Sequence, residues 1–141
     1  MKTIPSADLR DSKVDQKVVL SGLWISTLFV FAYVDIFGLY RADVRADLDT
    51  GKVGGFDVGQ LFLLGTTAYV VIPALMVFAT LVLRAPVVRV VSLVVAAVYA
   101  ITIVAAAIGE WNYYLFASAV EIALLAGVGY YAWTWPRLTA S

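Results

Sequence analysis

Two carboxylates stand inside otherwise apolar runs of this chain: Asp35 in Tyr33-Val34-Asp35-Ile36-Phe37-Gly38, and Glu121 in Ala119-Val120-Glu121-Ile122-Ala123. An ionised carboxylate at the centre of a membrane helix costs about 2.5–3.5 kcal/mol on insertion scales, so such a group is normally partnered, hydrated or neutral. Glu121 has no Lys or Arg at its depth; its charge must be met by water, hydroxyls or a bound cation, or removed by protonation. Its expected company is Tyr114 and Ser118 on its own helix, with Tyr33, Asp35, Thr66 and Thr67 from other spans, and Arg41 reaching Asp35 at the mouth. That set suits a site for a small ligand, a proton or a cation. The bland alternative is a neutral Glu121 that donates a hydrogen bond and fixes one helix against another.

Those residues need a frame, and the composition supplies one. The chain has 141 residues, 62% of them hydrophobic and 14% charged, against about 25% charged in an ordinary soluble domain. Four apolar stretches, 18–40, 60–83, 87–109 and 112–135, each approach the roughly 20 residues that cross a bilayer core. The expected fold is therefore all-α, a single transmembrane domain built as a four-helix bundle. The first span is too long for an ordinary signal core and lacks a small-residue cleavage site, so it is expected to be retained.

Lys2, Arg10, Lys13, Lys17, Arg84, Arg89 and Arg137 fall on one side of the four spans, and Arg41, Arg45 and Lys52 on the other. The positive-inside rule then puts both termini in the cytoplasm. Asp35 lies roughly 7 Å from the outer end of span one, and Glu121 roughly 14 Å from the outer end of span four, near the midplane. The loop between spans one and two repeats Arg41-Ala42-Asp43-Val44 as Arg45-Ala46-Asp47-Leu48, which predicts a short helix at the outer surface. Gly51, Gly54 and Gly55 then turn the chain towards span two. Short turns make spans two and three, and spans three and four, antiparallel neighbours.

Span two carries Pro73, which cannot donate to the carbonyl of Tyr69. Such a freed carbonyl either marks a cavity at mid-membrane or is an ordinary membrane-helix proline. Span four has a separate stripe, Ala119, Ala123 and Gly127, at the small-xxx-small spacing that lets backbones approach, within the bundle or between subunits.

Cysteine and histidine are absent, which removes thiolate chemistry, histidine-ligated haem and the usual zinc sites from what the chain can supply. No cofactor and no metal is expected. Balanced charge, ten basic against ten acidic residues, offers nothing to nucleic acid. The partners to expect are membrane lipids and either further copies of the chain or a membrane-complex partner. A site for binding or translocation ranks first among the functions, a non-catalytic scaffold second and a membrane enzyme acting on a lipophilic substrate third, since no nucleophile or cofactor motif is visible.

The runs Tyr33-Val34-Asp35-Ile36-Phe37-Gly38-Leu39, Gln60 with Phe62-Leu63-Leu64, Ile72-Pro73-Ala74-Leu75-Met76, Tyr113-Tyr114 with Phe116, Glu121, and Tyr131-Ala132-Trp133-Thr134-Trp135-Pro136 together resemble a bacterial family of small four-span membrane proteins of unknown function, loosely DoxX-like. The resemblance covers about residues 18 to 136 and implies residence in the bacterial cytoplasmic membrane. The acids it matches are Asp35 and Glu121. Members often carry another glutamate just before the Ile-Pro pair, where this chain has Val71; if that acid shares in a common chemistry, its loss puts the chemistry in doubt here.

Overall fold

A computed structural model describes residues 12–136 of the chain; Lys2, Arg10 and Arg137, used above for orientation, lie outside them. The order is α1 (Gln16–Gly38), α2 (Ala42–Asp49), β1 (Lys52–Val53), β2 (Phe56–Asp57), α3 (Gln60–Val82), α4 (Ala85–Ala106) and α5 (Asn112–Trp133). Four of the helices are long and apolar enough to cross a membrane, and they coincide with the four apolar stretches to within a few residues at each end. The chain is an integral membrane protein by this measure. A short helix does form in the first loop, as α2.

Local chemistry sets the ends of these elements. The Asp15 carboxylate caps α1 by accepting from the Lys17 backbone N–H at 2.8 Å, satisfying one of the orphan donors of a first turn. Lys17 Nζ donates to the Leu83 carbonyl at 2.6 Å and to that of Leu81 at 3.3 Å, placing a cation where the last carbonyls of α3 need donors. Pro86 sits in the first turn of α4, where its missing N–H needs no acceptor.

The return from α2 to α3 is a small antiparallel hairpin, with Val53 opposite Phe56 and Lys52 opposite Asp57. Its turn residues Gly54 and Gly55 both have positive φ, 53° and 84°, as two-residue turns of type I′ require.

Around the bundle the order is α3, α1, α5, α4. α3 and α4, joined by a short turn, are antiparallel neighbours, but the contact between them is slight beside the other three. Tyr69 and Tyr99 stack between them with ring centroids 4.5 Å apart. Two aromatic side chains face to face hold the helices apart where small residues would have let them close.

The two halves of the bundle differ as a result. Towards the chain termini, Leu20, Trp24, Val88 and Val128 are fully buried and the core is close-packed. Towards the loops, α3 is exposed along most of its length from Leu61 to Ile72, and the interior opens.

Candidate functional site

The opening is a cavity of about 570 Å³ in the loop half, lined by residues of all four long helices and by Phe56 of the hairpin. Helical spacing explains which residues reach it. Phe31, Val34 and Asp35 share one face of α1, Thr66, Tyr69 and Val70 one face of α3, and Thr102, Ile103 and Ala106 one face of α4, each at spacings of three and four. Tyr114 and Glu121 come from α5, two turns apart.

Asp35 and Glu121 therefore line the same cavity, but their surroundings differ. Glu121 is only 4% exposed, and its Oε1 has no hydrogen-bond partner among the described residues. A buried polar atom left unpaired costs about 1–3 kcal/mol, and native structures hold few of them. Asp35 is exposed, near the end of α1. One acid thus sits in the wall and the other at the mouth.

Three of the four hydroxyls that line the cavity, those of Thr66, Tyr69 and Thr102, are tied up. Tyr69 Oη and Thr102 Oγ1 are 2.7 Å apart, Thr102 donates to the Tyr99 carbonyl at 2.9 Å, and Tyr99 Oη donates to the Tyr69 carbonyl at 2.5 Å. Thr66 donates to carbonyls of its own helix. The carbonyl that Pro73 leaves without a backbone donor thus accepts from Tyr99 instead. Phe31 completes an aromatic cluster, 6.0 Å from Tyr69 and 6.1 Å from Tyr99 between centroids.

Of the site residues expected from sequence, Asp35, Glu121, Tyr114 and Thr66 come together. Ser118 is buried one turn from Glu121 but does not line the cavity. Thr67, a third of a turn from Thr66, is exposed and outside it. Tyr33 lines a different groove, an apolar one of about 420 Å³ between α1 and α5 that also takes in Phe37, Tyr113 and Phe116. Tyr69 lines the cavity near Pro73, and among the wall residues that the sequence does not point to are Phe31, Thr102 and Phe56.

Arg41 does not meet Asp35. Its guanidinium bridges Asp43 and Glu110, each at 2.6 Å, and lies over the Trp111 ring at 4.4 Å from the centroid. This clamp ties the start of α2 to the turn between α4 and α5. Hydrogen bonds to Asp43, Glu110 and Tyr113 raise the Arg41 pKa further above its already high value, and the Arg41 bond holds the Asp43 carboxyl below the usual carboxylate range.

The small-residue stripe divides. A Cβ at Gly127 would lie 3.4 Å from both methyls of Leu23, so Gly127 serves close packing of α5 on α1. Ala119 and Ala123 are exposed. Val71 is 43% exposed and does not line the cavity. Among the described residues no three acidic side chains converge as a metal cluster would.

Residues 9–141 match the model of a family of unknown function, DUF6326. No curated protein and no solved structure matches the chain.

Proposed function

This chain belongs to the DUF6326 family of unknown function, which brings no activity with it, and we propose from the cavity alone that the protein binds, or moves across the membrane, a small ligand, proton or cation at Asp35 and Glu121. The observation that carries this reading is the buried Glu121 Oε1, unpartnered among the described residues and in the wall of a cavity that it shares with Asp35. Intramembrane acids facing an internal cavity are the usual markers of such sites. The close-packed core around Trp24 and Leu20 would close the path at the other end, so translocation would need a second arrangement of the helices.

In this reading the protein sits in the bacterial cytoplasmic membrane with both termini cytoplasmic and the cavity opening outward. The helix α2 lies on the outer surface, and lipids surround the exposed apolar faces.

Native mass spectrometry of the protein released from nanodiscs, wild type against Glu121→Gln, tests the proposal. A bound non-lipid mass or cation adduct that the substitution removes supports it. The same bare protein in both preparations counts against it and favours the second reading, a scaffold whose exposed Ala119 and Ala123 meet a partner helix or another copy.

A further inference from the structure

The cavity also carries information about what kind of ligand fits it. None of its described lining residues is basic, two are acidic, and the remaining wall is aromatic and aliphatic apart from the hydroxyls of Thr66, Tyr69 and Thr102, which are engaged with one another or with backbone carbonyls, and the hydroxyl of Tyr114. An anion would meet only like charge here.

A bare inorganic cation fits poorly as well. A hard ion such as calcium takes six to eight oxygens, whereas the carbonyl released by Pro73 already accepts from Tyr99 and Asp35 stands at the mouth. The volume, about 570 Å³, is that of a site for an organic molecule, since pockets of roughly 300–1,000 Å³ hold drug-sized ligands. Aromatic faces beside carboxylates are the chemistry that holds organic cations, through charge at the carboxylate and the ring quadrupole along the body.

Resting on the binding function proposed above, we infer that the cavity takes an organic monocation, an amine or quaternary ammonium with an apolar body, its charged head at Glu121 and its body against Phe31 and Tyr69. Phe56 roofs the site: it lines the cavity from the hairpin and stacks on Phe62 of α3 at 6.3 Å. Asp35 at the rim draws the cation in.

The test uses the full-length protein in nanodiscs of phosphatidylglycerol, which contain no ammonium headgroup, with empty nanodiscs as reference. Binding of phenyltrimethylammonium is compared with that of tert-butylbenzene, the neutral molecule of nearly the same shape, and with that of sodium. The inference expects saturable binding of the cation, at least tenfold tighter than the neutral isostere and weakened at least tenfold by Glu121→Gln. Where Glu121→Gln does not fold, Asp35→Asn at the exposed mouth decides in its place, with a severalfold loss expected for the cation alone. Equal binding of cation and isostere overturns the inference, as does indifference to both substitutions. Sodium binding without phenyltrimethylammonium binding overturns it while leaving the broader site intact; no binding of either probe, together with no adduct in the native spectra, removes both. Adding phosphatidylethanolamine identifies the source of the ligand: competition with the probe points to a lipid headgroup, and its absence to a free amine.

Discussion

The hydroxyl of Tyr99 donates to the carbonyl of Tyr69 at 2.5 Å, and that carbonyl is the one that Pro73, four residues further along α3, leaves without a backbone donor. A proline in one span is thus answered by a tyrosine in another. Tyr99→Phe should destabilise the protein by roughly 1 kcal/mol, since interhelical bonds in membranes average about 0.6 and reach about 1.7 kcal/mol. In a Pro73→Ala background, where the backbone N–H returns to Tyr69, the same change should cost little. A double-mutant cycle by reversible unfolding in mixed micelles checks this; an equal cost in both backgrounds would show that Tyr99 acts through packing alone.

Span four offers a contrast between two small residues of one stripe. Gly127→Leu should destabilise by about 1–3 kcal/mol, the usual cost of overpacking, because its side chain must displace Leu23. Ala123→Leu, on an exposed position, should leave the stability of the single chain unchanged. Thermal unfolding followed by size-exclusion chromatography separates them. A lower oligomeric state in Ala123→Leu at unchanged stability would place an intersubunit contact on that face.

Which parts of this were legible in the sequence follows from the physics of each part. Lipid forces long apolar helices, so the spans could be read from composition, and depth alone brought Asp35 and Glu121 to one half of the bundle. Face was a different matter. Tyr33 lies about 200° from Asp35 around a helix, and this places it in the outer groove; Phe31, four residues before Asp35, was the aromatic on the correct face. The separation of α3 and α4 depends on Tyr69 and Tyr99, thirty residues apart, meeting ring to ring, and no local pattern encodes that. Phe56 enters from a two-residue strand whose position follows the Gly54-Gly55 turn. Arg41 is expected from sequence to meet Asp35, but Asp43, only two residues further along the chain, lies closer to hand, and Glu110 comes near only through the fold.

The Arg41 clamp predicts a pH response with a definite sign. Arg41 holds the Asp43 pKa below its unfolded value, so the contribution of the pair is complete above the ordinary carboxylate range and is lost as pH falls through the lowered value. Hydrogen exchange in α2, corrected for intrinsic rates, should be flat from about pH 8 to 5 and rise only below about pH 4. Arg41→Gln should raise it at every pH. A midpoint near neutrality would mean that some other group secures this loop.

Glu121 itself separates a functional acid from a structural one. An interhelical donor, once removed, leaves its acceptor bare and lowers stability. A carboxyl kept for a ligand, with one buried oxygen unpaired among the described residues, is instead a cost to the empty protein, and an apolar side chain of similar length should relieve it. Glu121→Met is therefore expected to stabilise the ligand-free protein by roughly 1–3 kcal/mol, the range for an unsatisfied buried polar group, while abolishing binding at the cavity. Reversible unfolding and the nanodisc binding assay, made on the same preparation, read both effects. Greater stability with lost binding is the pattern of a site held at the expense of the fold; lower stability with binding unchanged would assign Glu121 to helix packing.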